Sequence, residues 1–337
     1  MTQDYSRAVQ LLQAGELVAF PTETVYGLGA DAANPEAVAK IFAAKGRPAD
    51  HPLIVHLPGA AHLDRWAKEI PAVAWELAEA FWPGPLTLIL KRSPEVPYAV
   101  TGGQETVGVR VPSHPVALEL LRAYAQAGGG RDGLCGIAAP SANRFGRISP
   151  TDAAHVHEEL GDAVALVLDG GPCQVGIEST IIDLSRGQDF APRLLRPGHV
   201  TPEQIAAVIG VLPEQPEVQK DGEAPRVSGS LDSHYAPLTP MRLVTKADLA
   251  DVLAGVKASG KRAGLLAHTR QSGIVQPYSL RQLPDEPEGY ARGLYAALRE
   301  LDQAENDVIV VEAIHADAGW EAVADRLRRA ACGSGFI

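Results

Sequence analysis

Along the chain the spacing of apolar residues switches repeatedly between helical and strand-like periods, and the switches delimit the expected elements. Between Tyr5 and Ala14, Val9, Leu11 and Leu12 fall at helix-compatible spacing, and Gly15 stops that pattern before the apolar run Leu17–Phe20, a short buried strand. The stretch Asn34–Gly46 predicts a helix that Asn34 caps, Pro35 starts and Gly46 ends, which delivers Lys45 and Arg47 to a loop. Short β-rich runs follow at Leu53–Leu57, Leu86–Leu90, Thr106–Val111, 134–140, Ala163–Leu168 and Ser179–Leu184. Helical patterns cover 62–70, 72–82, 115–127, 151–160 and 202–209, the second halted by Pro83-Gly84-Pro85.

From Leu212 to about Pro240 the chain turns rich in Pro, Glu, Gly and Ser, the composition of an interdomain linker. Beyond it, strand patterns at 241–244, 262–268 and 307–314 alternate with helical ones at 247–258, 289–303 and 319–331. That order suits a small doubly wound α/β domain. The expected organisation is an α/β domain over 1–211, a linker over 212–240 and a second α/β domain over 241–337, a division that 337 residues accommodate.

Charge narrows the function classes. The formal net charge of -11 disfavours broad attraction to nucleic acid or anionic membrane, although a local basic cleft is compatible with it. Cys135, Cys173 and Cys332 show neither paired metal spacing nor a disulfide framework; each reads as a small buried hydrophobe in a reducing cytosol. The start of the chain is unlike a secretory signal and no apolar run is long enough to span a bilayer, so the expectation is a soluble cytoplasmic protein without a membrane partner.

Candidate chemistry begins at Pro21–Gly29, where Thr22, Glu23, Thr24 and Tyr26 leave a strand end together and Gly27 and Gly29 permit a turn or close approach of a ligand. By itself this is an ordinary strand-to-helix turn whose hydroxyls satisfy nearby backbone. Arg110 lies inside an apolar alternation, so it must meet an acid or an anionic ligand, with a structural salt bridge as the default. His155 and Glu159 stand one helical turn apart and could bind a metal, but without an evident third ligand they read as solvated side chains on a helix surface. Three tempting signatures fail. Gly255–Lys261 begins like a phosphate-binding loop, but Arg262 stands where Ser or Thr should meet magnesium, and the pattern ends a helix rather than opening one. No GxGxxG fingerprint follows in the second domain, and no GxSxG elbow occurs.

Company changes the reading of Pro21–Gly29. KGRP at Lys45–Pro48, HPLIVHL at His51–Leu57, PGPLT at Pro83–Thr87, VGVRVPSHP at Val107–Pro115, APSAN at Ala139–Asn143, GIEST at Gly176–Thr180 and LRPG at Leu195–Gly198 follow it in order. Together these segments resemble the Sua5/YrdC family of L-threonylcarbamoyladenylate synthases, and HYAP at His234–Pro237 resembles the longer Sua5 form. The resemblance implies a YrdC-like twisted mixed-sheet domain followed by a smaller Rossmann-like Sua5 domain. It implies a nucleotidyltransferase reaction in which L-threonine, bicarbonate and ATP, with Mg2+ accompanying ATP, give threonylcarbamoyl-AMP and pyrophosphate for tRNA modification at adenosine 37. No redox cofactor and no protein-bound metal is implied; a threonylcarbamoyl transferase would take the product, making contact with tRNA indirect.

Position by position, the resemblance assigns Thr24, His56, Arg110, the backbone near Ala139, and Ser179 to threonine. It assigns Arg47, His51, Thr106, Ser141, Asn143, Ser149 and Arg196 to ATP, with His234 and Tyr235 in a linker that folds over the nucleotide as a lid. Lys45 and Arg47 would act on the phosphates. Two departures stand out: His51 replaces a frequent Asn, and Leu231, Asp232 and Ser233 replace the basic and aromatic residues that often precede HYAP. A carbamoyl transferase of the hydrogenase-maturation type shares the YrdC-like domain, but the acylphosphatase segment and cysteine-rich zinc motifs that usually accompany it are missing. An RNA-binding module without chemistry is disfavoured by the acidic balance.

Overall fold

The computed structural model describes residues 4–215, 224–229, 231–317 and 319–335, so the part of the expected linker at 216–223 and at 230 lies outside the described residues. The chain forms two compact units. The first comprises Met1–Arg144, Pro150–Gln174 and Glu178–Ser230, and the second Phe145–Ser149, Val175–Ile177 and Leu231–Ile337. Two short internal segments that chain order assigns to the first domain thus belong with the second.

In the first unit, nine strands among the described residues make one mixed sheet. They are β1 Val18–Phe20, β2 Gly27–Asp31, β3 Ile54–His56, β4 Leu86–Lys91, β5 Thr106–Arg110, β6 Ile137–Ala138, β7 Leu166–Val167, β8 Thr180–Asp183 and β9 Arg193–Arg196, in the order β7-β1-β2-β6-β3-β5-β4-β8-β9. Three pairs are parallel (β1 with β7, β3 with β5, β4 with β8) and the other five antiparallel, with β1, β2, β6 and β3 forming a continuous antiparallel run. Its strands are apolar on both sides because helices cover them: Tyr5–Gln13 and Pro115–Gln126 pack Leu12, Leu120 and Tyr124 in one cluster, while Pro35–Lys45 and Ala72–Phe81 bury Ile41 and Leu77 in another.

The helix start read at Asn34 is present as expected: the side chain accepts from Glu36 N and Ala37 N, Pro35 occupies the first turn, and Gly46 is the C-cap. Two other readings need correction. The stretch after Phe20 does not turn into a helix; it reverses at Thr22–Val25 and returns as β2, antiparallel to β1 with Val18 opposite Gly29. Gly29 is there for packing, since a Cβ would stand 2.7 Å from the Phe20 ring and 2.9 Å from Val18 O. The expected helix over 62–70 stops at Trp66, because Ala67 bridges to Arg92 and Lys68 N donates to Lys91 O, drawing the chain to the sheet.

The second unit carries a parallel sheet of β10 Met241–Val244, β11 Ala263–Ala267, β12 Ser279–Gln282 and β13 Val308–Glu312, in the order β10-β13-β11-β12. Helix Pro287–Gln303 buries Tyr290, Leu294, Leu298 and Leu301, spaced to share one face. Strand β12 has no counterpart in the sequence reading; it is an edge strand with three exposed residues, and edge positions need no apolar alternation. The segment Gly255–Lys261 lies at a helix end before β11, the reverse of what a phosphate-binding loop requires, so the rejection of that reading stands.

His234 and Tyr235 are buried within this unit. Tyr235 adopts a left-handed backbone conformation (φ 61°), its ring 4.2 Å from that of His234 and 5.8 Å from that of Tyr295. The internal segment Phe145–Ser149 is held in the same unit: Ala236 N donates to Gly146 O at 2.9 Å, Arg147 pairs with Asp302 at 3.2 Å, and Arg299 donates to Ile148 O. No helix among the described residues is long and apolar enough to cross a membrane.

Candidate active site

The reversal between β1 and β2 is built by Thr22. Its hydroxyl donates to Val25 O at 2.6 Å and accepts from Thr24 N and Val25 N, which fixes Glu23 and Thr24 without further help. Both are buried, and both face Arg110 at the carboxyl end of β5. Arg110 Nη2 lies 2.6 Å from Glu23 Oε1, Nη1 donates to Thr24 Oγ1 at 3.0 Å, and Nε donates to Gly84 O at 3.1 Å. The other Glu23 oxygen accepts from Ser113 N at 3.0 Å. The arginine in the apolar strand therefore meets an acid, and Glu23 is the residue that sequence reasoning left without a role. The signal was present, an acid between two threonines at a strand exit, but nothing local connects it to a position 87 residues later.

His56 is the register partner of Arg110 across β3 and β5. Burial, reinforced by the Arg110 charge, pushes its imidazole down to about 3, so the ring is neutral. Because its ordinary value is 6.5, the unfolded chain binds this proton first; the stabilisation is complete above about 6.5 and is lost as pH falls toward 3. Unfolding free energy should therefore fall with a slope approaching about 1.4 kcal/mol per pH unit from this residue alone between pH 6 and 4.5. Denaturant titrations of the native chain and His56→Gln would measure it; equal slopes would remove His56 as the source.

A second group of side chains gathers around Ser228. Arg196, at the end of β9, donates from Nε to Ser179 O at 3.0 Å, from Nη2 to Ser179 Oγ at 3.1 Å and from Nη1 to Ser228 O at 2.8 Å. Arg47 donates from Nη1 to Ser228 Oγ at 3.3 Å and from Nη2 to Pro52 O at 2.8 Å. Ser179 Oγ is also 2.8 Å from Thr87 Oγ1. Ser228 and Thr87 were not singled out in the sequence; small hydroxyls are too common for type alone to mark them. Thr106 and Ser228 line one narrow groove with Pro52, Ile54, Gly108 and Val227. Half-buried His51 has its pKa lowered by burial and then by the Arg47 charge.

Lys45 is buried at the end of its helix, and Nζ donates to Ser141 O and Asn143 O, each at 2.5 Å. Burial first, and the Arg47 charge second, hold its pKa well below the usual lysine value. The APSAN segment it grips is tied to the sheet by Ala139 N donating to Ile54 O at 3.0 Å and Leu28 N donating to Pro140 O at 2.8 Å. Glu159 is not a solvated surface group, a correction to the sequence reading: it is buried and accepts from Arg144 N at 3.2 Å, while His155 Nδ1 accepts from Thr151 N at 3.3 Å. Both complete loop backbone.

The first unit thus brings together Thr24, His56, Arg110 and the Ala139 backbone on one side, Ser179, Arg196 and Arg47 on another, and Lys45 with Ser141 and Asn143 beside the latter's loop. Ser149, His234 and Tyr235 belong to the second unit. Cys135 and Cys173 are buried, with burial pushing the Cys135 thiol up to about 11, whereas Cys332 is exposed, contrary to the expectation for it. Cys332 is expected to be the one thiol that reacts rapidly with an aromatic disulfide in the native protein; labelling that survives Cys332→Ser would refute this.

Comparison with known proteins adds the family. Residues 10–198 match the Sua5/YciO/YrdC family model, described as telomere recombination, and residues 200–332 match the threonylcarbamoyl-AMP synthase C-terminal domain. A threonylcarbamoyl-AMP synthase of Pyrococcus abyssi is 42% identical over 330 residues, covering 96% of this chain and 92% of the relative. One from Bacillus subtilis is 40% identical over 333 residues, covering 97% and 93%. The crystal structure of P. abyssi Sua5 complexed with L-threonine superposes with a TM-score of 0.87 at 40% identity, over 98% of this chain and 94% of that one. With both domains matched in order and relatives alike over nearly the whole length, the chain belongs to the Sua5/YrdC family of threonylcarbamoyl-AMP synthases.

Proposed function

We propose that this chain is an L-threonylcarbamoyladenylate synthase acting as a nucleotidyltransferase: it joins L-threonine, bicarbonate and MgATP into threonylcarbamoyl-AMP and releases pyrophosphate, in the cytoplasm, for transfer to adenosine 37 of tRNA by a separate transferase. The observation that carries this reading is the convergence of Arg47 and Arg196 on Ser228. Two buried guanidinium groups that meet at one residue concentrate positive charge and oriented N–H donors there, which suits a multiply charged anion such as a triphosphate.

In this reading the threonine amine captures bicarbonate, or carbon dioxide derived from it, as a carbamate. A carbamate oxygen then attacks the α-phosphorus, and the bond to the β,γ-diphosphate breaks so that pyrophosphate leaves. No side chain needs to act as nucleophile. Arg47, Arg196 and Lys45 offset charge growing on the phosphorus oxygens, and a fixed framework of donors does so without reorganising. Thr24, Ser179, neutral His56 and the backbone at Ala139 read the amine and hydroxyl of threonine, and Arg110, steadied by Glu23, faces its carboxylate. A pocket that hydrogen-bonds the substrate hydroxyl rejects valine, which leaves those groups unpaired. His51, Thr106, Ser141, Asn143 and Ser149 complete the nucleotide contacts, with Mg2+ entering as part of the substrate. The segment from Ser228 through His234 and Tyr235 acts as a lid, and protease sensitivity that ATP plus threonine leaves unchanged would argue against it.

The test is pyrophosphate release by the purified chain with threonine and bicarbonate omitted in turn, the adenylate being identified by mass. Release that needs both, with the mass of threonylcarbamoyl-AMP, is expected. Release that needs neither, or none from folded protein that binds ATP, would overturn the proposal.

A further inference from the structure

At the carboxyl ends of three adjacent strands of the second sheet stand groups for which the reaction above has no use. His268 directly follows β11, Asp285 follows β12 and His315 follows β13. In a parallel sheet this is the edge at which ligands bind. One ligand atom from each of the three lies within 4.8 Å of the others: Asp285 Oδ1 is 2.7 Å from His268 Nδ1 and 2.8 Å from His315 Nε2.

His268 Nε2 is 3.1 Å from the carbonyl oxygen of Ala313, an atom that only accepts, and Nδ1 is 2.7 Å from Asp285 Oδ1. In the tautomer with the hydrogen on Nε2, Nδ1 presents its lone pair beside the carboxylate, where a cation can join the two. A metal-bound histidine has this same arrangement, with one nitrogen on the ion and the other N–H on a backbone carbonyl. The support continues outward. Fully buried Glu312 has its Oε2 filled by His268 N at 3.0 Å, Thr269 N at 3.1 Å and Gln271 Nε2 at 3.0 Å, and its Oε1 by Thr269 Oγ1. It is therefore not a ligand itself; it fixes the backbone of His268 and adds negative charge 4.0 Å from that ring. The Trp320 ring, 6.1 Å from that of His268 and 5.5 Å from that of His315, walls one side.

We propose that His268 Nδ1, the Asp285 carboxylate and His315 Nε2 bind one divalent transition-metal ion in the second unit, with zinc the best fit. Two imidazoles and a carboxylate suit zinc and its neighbours, whereas Mg2+ and Ca2+ take oxygen ligands. Donors about 2.0–2.2 Å from zinc at tetrahedral angles stand roughly 3.3 Å apart, so the contacts must open by about half an ångström. Asp285 and His315 are about half exposed and can rotate to do so, while His268 stays fixed. Three protein ligands leave a fourth position toward solvent, and a dication with one carboxylate keeps a net positive charge there, suited to water, hydroxide or an anionic ligand.

The test uses the full chain, stripped with chelator and titrated near neutral pH with Co2+, followed by its visible absorption, and with Zn2+ in competition with a chromophoric chelator. One ion per chain is expected, at micromolar dissociation constant or tighter. His315→Ala and Asp285→Asn should each weaken uptake at least about 100-fold, while His157→Ala, at an exposed position of the first unit, should not. Both altered side chains are partly exposed, and unchanged melting temperatures would verify that the fold survives. Zn2+ should also move the His268 Nδ1 resonance in nitrogen-detected NMR. No stoichiometric uptake, or equal uptake by the variants, would overturn the site.

Discussion

Arg110→Ala should lower stability by about 3–5 kcal/mol and suppress threonine-dependent turnover while leaving ATP binding largely intact. The stability loss follows from the burial of both partners: with the guanidinium gone, Glu23 keeps Ser113 N as a donor but loses its counter-charge in a place water does not reach. Thr24 and Gly84 lose their shared donor at the same time. The functional loss follows from the proposed contact with the threonine carboxylate. The two are separable, because removing both charges as Glu23→Met with Arg110→Met should recover much of the stability without restoring threonine use. Chemical denaturation and steady-state kinetics of the three proteins would test it. Threonine kinetics unchanged in Arg110→Ala would take Arg110 out of the substrate site and leave it as structural bracing.

Lys45→Met is expected to reduce adenylate formation by about 10²–10³-fold at saturating threonine, and Lys45→Arg should not rescue it. Met approximates the length of the stem but donates nothing to Ser141 O and Asn143 O, the two carbonyls that the ammonium now holds together. The APSAN loop would lose both its shape and a positive charge close to the proposed phosphate position. A guanidinium is too broad to sit between carbonyls that each approach the nitrogen to 2.5 Å. Single-turnover measurement of pyrophosphate release would isolate the chemical step. Release from Lys45→Met within about threefold of the native rate would leave the lysine a purely structural role.

The legible parts of this molecule were those with local physical signatures. Asn34, Pro35 and Gly46 announce a helix because capping chemistry is confined to a few consecutive residues. Leu86–Leu90 and Thr106–Val111 announce strands because both faces are buried, and both appear as β4 and β5. Strand β12 was illegible because its edge position imposes no pattern, and β2 was illegible because Gly27 and Gly29 look like a turn, whereas Gly29 lets the Phe20 ring lie against the backbone and Gly27 leaves room for the Ala139 side chain. In the site, ordered motifs marked Arg47, Arg110 and Arg196, but Glu23, which meets Arg110, Ser228, which meets Arg47 and Arg196, and Thr87, which meets Ser179, are brought there only by contacts between distant segments. The His268, Asp285 and His315 cluster had no motif at all: its members come from three different strand ends, and spacing along the chain carries no trace of a shared edge.

The second unit is discontinuous in the chain, taking Phe145–Ser149 and Val175–Ile177 from within the region that the first otherwise occupies. Gene fission or a stop codon anywhere between Glu178 and Ser230 would therefore not yield two self-sufficient polypeptides. The fragment after the cut would lack the backbone that Arg299 and Ala236 satisfy at Ile148 and Gly146, together with Arg147, the partner of Asp302. Split halves of this protein should behave as a complementation pair, each recovering its full complement of hydrogen bonds only on reassembly, and modular transplantation of residues 231–337 onto another carrier would carry an incomplete fold.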